Sequence, residues 1–167
     1  MQRNLEPHPA RQPGPPIWIG SWGTEAGLLR TARLGDGRLA SAYNTAPDLF
    51  ADARRRLGEH LQAAGKDPDR FPNAVATTFL HLTEYRAAAD RIVRDLLGPM
   101  LGRPEAELRE CLLVGPVEKC AQTLAAYRSA EVRRVLLWPI QDELRQLEPF
   151  REHVVPLAHA SSVAEHN

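Results

Sequence analysis

No apolar run in this chain approaches the ~20 residues that a membrane-spanning helix needs, so no membrane partner is predicted. The opening stretch, MQRNLEPHPARQPGPP, lacks the apolar core of a secretory signal and reads as an extended, Pro-rich lead-in over 1–16. Net charge is missing too: 21 basic residues balance 21 acidic ones, which leaves no global field to draw nucleic acid. The longest basic run, Arg54-Arg55-Arg56, has Asp52 and Glu59 nearby and reads as a solvated helix face. Two cysteines, Cys111 and Cys120, are too few for a disulfide framework and sit in no metal-ligand spacing, which points to a reduced, cytoplasmic setting. No carboxylate pair, Ser/His/Asp set or metal cluster stands out. What remains is 167 residues, 43% hydrophobic and 25% charged, enough for one domain with a buried core.

Along that domain, strand and helix signals alternate. Ile17-Trp18-Ile19 is a short β-favouring run between Pro16 and Gly20. A helix over 24–34 follows, with Leu28, Leu29 and Ala32 on one side and Gly35 as its C-terminal cap; Asp36-Gly37 turns the chain into a second strand, Arg38 to Ala42. Pro47 starts a helix whose Leu49, Ala53, Leu57 and Leu61 share a face. Ala74 to Leu82 is the third strand. Thr83 opens a helix with Ala88, Ile92, Val93 and Leu96 inward, stopped by Gly98-Pro99. A short helix over 104–110 precedes a longer one, Glu118 to Ser129, carrying Cys120, Leu124 and Tyr127. Val132 to Trp138 is the fourth strand, and a last helix presents Leu144, Leu147, Phe150 and Val154. The residues 158–167 read as a disordered tail. Four strands alternating with helices predict a parallel α/β architecture over 17–157.

One junction carries chemistry. Gly20, Ser21, Trp22, Gly23 and Thr24 lie where the first strand ends and a helix begins. Such a turn has a mechanical reading, a tight reversal, and a chemical one. The first N–H groups of a helix lack carbonyl partners and sit at the positive end of its dipole, so they suit an anion. Glycines admit the anion to the backbone, and Ser21 and Thr24 bring hydroxyls. A side chain at Gly23 is expected to stand in the anion's path. The GxGxxG fingerprint and the P-loop lysine are both absent, so spacing alone leaves the two readings open.

The stretch PPIWIGSWGTEAGLLRTARLGDGRLASAYNTAP resembles the opening of the second half of luciferase-like monooxygenases, as do PMLGRPEAELRE, LLVGPVEKCAQTLAAY and VRRVLLWPIQDELRQLEPF. The resemblance spans residues 4–157. It implies half of a (β/α)8 barrel, flavin-type redox chemistry with FMN or the deazaflavin coenzyme F420, and a phosphate-holding role for Gly20, Ser21, Trp22, Gly23 and Thr24. It implies no substrate and no catalytic residue. Two positions depart from the family pattern: Arg38 stands where LGDGW has its aromatic, and Glu131 where a glycine commonly precedes the last strand. A left-handed backbone at Glu131 would cost roughly 1–2 kcal/mol.

A barrel of this kind needs eight strands, so the resemblance implies the C-terminal portion of an oxidoreductase. The alternative is a non-catalytic fragment or a partner subunit that completes another half-barrel. Two open sheet edges and an inner face without an opposite wall predict a homodimer or association with a complementary half-barrel. Three further residues face the same end of the strands: His81, which suits a donor to a cofactor or plain packing, and Trp138-Pro139, which suits a pocket wall or a strand stop. Cys120, on an apolar helix stripe, reads as core.

Overall fold

Pro15 and Pro16, which cannot donate to a ladder, leave only Trp18–Gly20 to form β1. The computed structural model describes residues 14–161; most of the expected lead-in (1–13) and the last residues of the expected tail (162–167) lie outside that range. Within it follow α1 (Glu25–Leu34), β2 (Gly37–Ser41), α2 (Pro47–Ala63), β3 (Asn73–Leu82) and α3 (Arg86–Arg91). A π-helical stretch (Ile92–Leu97) joins α3 to α4 (Gly98–Leu101), then come α5 (Glu105–Cys111), β4 (Leu113–Gly115), α6 (Val117–Ser129) and β5 (Val135–Pro139). The chain ends in α7 (Glu143–Pro149), a second π-helical stretch (Phe150–Val154) and α8 (Val155–Ser161). All pairings are parallel: β1 with β2, β2 with β3, and β3 with both β5 and β4. The strands β1, β2, β3 and β5 are neighbours in chain order, as in half of a (β/α)8 barrel. The unanticipated β4 adds only a short pairing, Leu113–Gly115 against Leu80–Leu82.

A bulge in β3 decides which side chains face which way. Between Val75 and Thr78 the strand advances three positions while β5 advances two, Val135 to Leu137. The extra residue falls at Thr77, whose φ of 52° is rare for a β-branched side chain. Side-chain parity therefore flips, so that Val75, Thr78 and Leu80 are all buried beneath the helices. Phe79 and His81 point the other way. Beside Phe79 in the register is Trp138, and the two rings meet edge to face with centroids 5.8 Å apart.

The helix-covered side holds the core. Ala40, Phe50, Val75, Val93, Leu97, Leu108 and Tyr127 form its centre, while Leu28, Ala32, Ala53, Leu57, Leu61 and Phe71 fill the space between α1 and α2. A third cluster, with Leu80, Leu113, Cys120, Phe150 and Val154, lies under α6 and the C-terminal helices. Cys120 is indeed core. On the other side, Leu136 and Trp138 remain 43% and 49% exposed.

Several expectations need correction. The α2 stripe is Phe50, Ala53, Leu57 and Leu61, and Leu49 faces outward at 57% exposure, because three-and-four spacing follows the helix better than fours alone. Ala89, Val93 and Leu97 replace Leu96 on the buried side because the wider turns of the π-helical stretch shift the phase of the stripe, and Leu144 is exposed. Gly35 does cap α1, its N–H donating to the Thr31 carbonyl, and does so in an extended conformation (φ −94°). Its hydrogen matters because a Cβ there would meet the Thr31 carbonyl at 2.8 Å, as one on Gly37 would meet the Trp18 ring at 2.7 Å. Gly98-Pro99 does not stop the helix, which runs on to Leu101 and ends at left-handed Gly102. Pro99 and Pro156 each follow a π-helical stretch, whose widened turns move away the carbonyl four residues back that a proline ring would strike. The expected disorder from residue 158 is contradicted up to Ser161, since α8 continues there with Ala158 buried and His159 beside Arg128 at 2.9 Å.

The basic run is not a uniformly solvated face either. Arg55 is, bridging Asp52 and Glu59 along the helix. Arg54, however, pairs with Glu131, and Arg56 reaches α1. The left-handed conformation weighed for Glu131 is present, with φ of 61°. Glu131 N–H donates to the Arg128 carbonyl and Val132 N–H to that of Tyr127, the hydrogen-bond pair that ends a helix where glycine is usual.

Candidate functional site

The turn between β1 and α1 brings all five candidate residues together at the C-terminal end of the sheet, the rim where barrel sites form. Ser21 N–H donates to the Leu39 carbonyl at 3.0 Å, which extends the β1–β2 pairing into the turn. Its side chain is 4% exposed and tucks beneath the first turn of α1; a Cβ on Gly27 would sit 2.7 Å from its Oγ. Trp22, 63% exposed, stands out on the rim. Gly23 takes φ of 91°, and Thr24 caps α1 by accepting from Gly27 N–H at 3.3 Å. Both hydroxyls keep their proton to donate.

The two glycines do different work from each other. A Cβ on Gly23 would meet the Ala53 Cβ at 3.0 Å, so this glycine serves the packing of the turn on α2 and the left-handed backbone, not the anion's approach. The side-chain direction of Gly20 is open, with nothing within 4 Å. Gly20 is therefore the residue whose bareness leaves room in front of the turn.

Beneath the turn lies a residue that sequence reasoning noted only as a departure. Arg38, on β2, is 1% exposed, with its guanidinium 4.6 Å above the Phe50 ring and Nη2 3.9 Å from where a Gly23 Cβ would be. Among the described residues none hydrogen-bonds Nε, Nη1 or Nη2. Burial pulls its pKa down to about 10, which still leaves a cation at neutral pH. The signal that could have found it was in the sequence: a charge at a position whose neighbours, Leu39 and Ala40, read as strand.

Several charges around the turn are paired. Glu25, in the first turn of α1, contacts Arg56 at 2.6 Å and His60 at 2.7 Å, and the Arg56 hydrogen bond holds its carboxyl below the usual range. Arg56 also donates to the Gly23 carbonyl at 3.2 Å, so α2 clamps the turn from the side. A cleft of about 430 Å³ at the start of α6 carries Arg86, Arg109 and Lys119. There Arg109 pairs with Asp90 and Glu105, and Lys119 donates to the Leu112 carbonyl.

The remaining candidates divide. His81 is half-buried on the inner side with Nδ1 unpartnered, and burial lowers its pKa, so the ring is neutral at pH 7. Trp138 lines the same side. Burial pushes the thiols of Cys111 and Cys120 up to about 12 and about 11, which removes both as nucleophiles. No group of three or more His, Cys, Asp or Glu among the described residues is placed to hold a metal. Nor is any described helix long and apolar enough to cross a membrane. The arrangement offers helix N–H groups and a nearby cation at the turn, and one wall of a pocket at His81 and Trp138.

Solved structures place this architecture among complete barrels. An F420-dependent secondary alcohol dehydrogenase, solved with an F420–acetone adduct, superposes with a TM-score of 0.69 at 15% identity, over 88% of this chain and 50% of that one. A monooxygenase from Streptomyces bottropensis gives 0.65 at 19% identity, over 87% and 49%. The oxygenating component of 3,6-diketocamphane monooxygenase from Pseudomonas putida, solved with FMN, gives 0.59 at 17%, over 86% and 49%. The chain thus spans about half the length of these enzymes. Among curated proteins none matches it in sequence. The family model for luciferase-like monooxygenase matches residues 2–134, which include the turn, Arg38 and the first three strands. The chain belongs to the luciferase-like monooxygenase family.

Proposed function

We propose that this chain is the C-terminal portion of a flavin- or deazaflavin-dependent oxidoreductase, supplying the cofactor-phosphate turn and half of the barrel wall. The reading rests on the β1–α1 turn. It combines the N-terminus of a ten-residue helix, a buried hydroxyl at Ser21 and an exposed one at Thr24, an open approach at Gly20 and a buried unpaired guanidinium below. Gly20, Ser21, Trp22, Gly23 and Thr24 hold the phosphate of FMN or coenzyme F420, Gly23 by shaping the turn and Gly20 by leaving space. The bound cofactor supplies the redox chemistry; the chain's residues bind, orient and exclude water. His81, Phe79 and Trp138 face the region its ring would occupy. Two free thiols suit a cytoplasmic setting.

The test is a titration with FMN, coenzyme F420 and riboflavin, comparing the native chain with Gly20→Val. FMN or F420 should bind more tightly than riboflavin, and Gly20→Val should weaken that binding while leaving the melting temperature unchanged. Equal binding of FMN and riboflavin would remove the phosphate role. Gly23→Val is a poor probe, because it forces a β-branched residue into a left-handed backbone against Ala53.

A second reading has its own observation. Among the described residues β1, β5 and the short β4 are each paired on one side only, and Leu136 and Trp138 of β5 lie exposed on the inner face. The chain then serves as a partner subunit, closing either with a second copy or with a complementary half-barrel. A two-fold axis along the barrel would place β5 of each copy against β1 of the other and pair those edges. Light scattering on the eluting peak should give about twice 18.6 kDa. A clean, cooperatively melting monomer would refute self-closure. Turnover by the monomer is expected to stay at the level of free flavin, since half a pocket leaves the ring in water.

A further inference from the structure

A guanidinium has five N–H donors and, in water, fills all of them. Arg38 fills none with protein, although it is 1% exposed. The face of Phe50 at 4.6 Å recovers part of the lost hydration. An unpaired buried cation still lacks the counter-charge that normally makes such burial tolerable. Carboxylates nearby are engaged elsewhere: Glu25 with Arg56 and His60, Asp52 with Arg55 and Arg56. The turn adjoins the guanidinium at Gly23, where a Cβ would lie 3.9 Å from Nη2 and 3.0 Å from the Ala53 Cβ.

We propose that Arg38 is the buried counter-charge for a phosphate dianion held at the β1–α1 turn. This rests on the phosphate reading of the turn and adds to it a binding residue specific to this chain, since the family pattern has an aromatic at that position. The phosphate sits on the open side, against the first N–H groups of α1. Arg38 acts on it from below, through a low-dielectric layer of Phe50, Ala53 and the turn itself, where a charge is screened far less than at the surface. The same charge explains why the position tolerates a cation at all: the ligand completes a pair that the folded chain leaves half-made. Inorganic phosphate and the monoester phosphate of FMN both reach the dianionic state, so either completes it.

The experiment is thermal melting of the native chain, Arg38→Trp and Arg38→Met at constant ionic strength, with added inorganic phosphate, FMN or riboflavin. Phosphate and FMN should each raise the melting temperature of the native chain, and riboflavin should not. Without ligand, the neutral variants should melt at or above the native temperature, because a buried unpaired charge has gone. Their affinity for phosphate and FMN should fall by roughly 30-fold or more. Two neutral side chains of different shape are used so that either folded variant decides the matter. If a folded neutral variant binds phosphate as the native chain does, the Arg38 assignment is wrong while the turn reading stands. If the native chain responds to neither phosphate nor FMN, the turn reading falls and Arg38 with it. A response to inorganic phosphate but not to FMN keeps the counter-charge and overturns the cofactor as its source.

Discussion

On its helix-covered face the sheet buries Ala40, Val75 and Leu80 to 1% exposure or less, whereas on the inner face Leu136 and Trp138 keep 43% and 49%. Both faces are built from the same strands, so the contrast lies in what each is packed against. The covered face is finished by α1, α2, α6 and the C-terminal helices of this chain. In the complete barrels that superpose on it, the inner face of such a half looks onto strands this chain does not contain. Each face also keeps a polar group without a partner, Arg38 outside and the Nδ1 of His81 inside. Within the described residues one face is covered and the other open, the contrast that the proposed half-barrel role requires.

The sharpest way to break this contrast is to truncate one aromatic on each face. Phe50→Ala should cost about 3–5 kcal/mol, because it empties a fully buried site and removes the ring under Arg38. Trp138→Ala should cost at most about 1 kcal/mol in a monomer, where half of the ring already meets water. Urea denaturation of both variants measures the difference. A cost at Trp138 above about 2 kcal/mol that grows with protein concentration would mean that the inner face is covered by a second chain.

The bulge at Thr77 is what lets the two faces be so different, and it is strained. Thr77→Gly should stabilise the chain by about 1 kcal/mol, the relief of a β-branched left-handed residue less the added entropy of the unfolded chain. A loss of stability instead would show that the hydroxyl, which donates to the Ala76 carbonyl at 2.6 Å, holds the bulge in place.

The alternation of strands and helices was legible because each helix carries an apolar stripe and each strand a short β-branched run. The β1–α1 turn was legible from its glycines. The purpose of those glycines was not, since Gly23 and Gly35 answer to atoms from distant parts of the chain, Ala53 and Ile19. Parity in β3 was hidden for a related reason: a bulge is set by register with β5, more than fifty positions away. Arg54 and Arg56 look alike in sequence to Arg55, yet only the fold brings Glu131 and Glu25 to them. The three-residue β4 carries too little pattern to be seen before β3 is there to pair with it.

A pH titration sharpens the comparison from the inner side. His81 has a pKa lowered by burial from its ordinary 6.5. Below pH 6.5 the unfolded chain takes up a proton that the folded chain resists, so the contribution of His81 to stability is present above that pH and declines as pH falls. In His81→Asn the decline between pH 6.5 and 5 should flatten. An unchanged slope would mean that the ring is solvated, and the inner face wetter than its geometry implies. Covering the face with a second chain should lower the pKa further and steepen the native slope.

The smallest effect is expected at Glu131, at the N-terminal end of the strands, opposite the rim. Its φ of 61° is fixed from several sides: its own N–H and that of Val132 complete the end of α6, and its carbonyl accepts from Asn73 Nδ2 at 3.1 Å. Glycine would remove a left-handed penalty of roughly 1–2 kcal/mol. It would also loosen the unfolded chain, costing about 0.4–1 kcal/mol, and delete the pair with Arg54, which is worth about 0–1 kcal/mol because the carboxylate side is 66% exposed. These terms nearly cancel, and Glu131→Gly should lie within about 0.5 kcal/mol of the native chain. Glu131→Asn separates them, since asparagine tolerates the left-handed region, loses the charge and adds no glycine entropy. If both variants are destabilised by more than about 1 kcal/mol, the Arg54 pair is the term that was undervalued, and it clasps α2 to the end of α6 more firmly than an exposed ion pair usually does. If only the glycine is, the cost lies in the unfolded chain, and the left-handed backbone at Glu131 carries little strain.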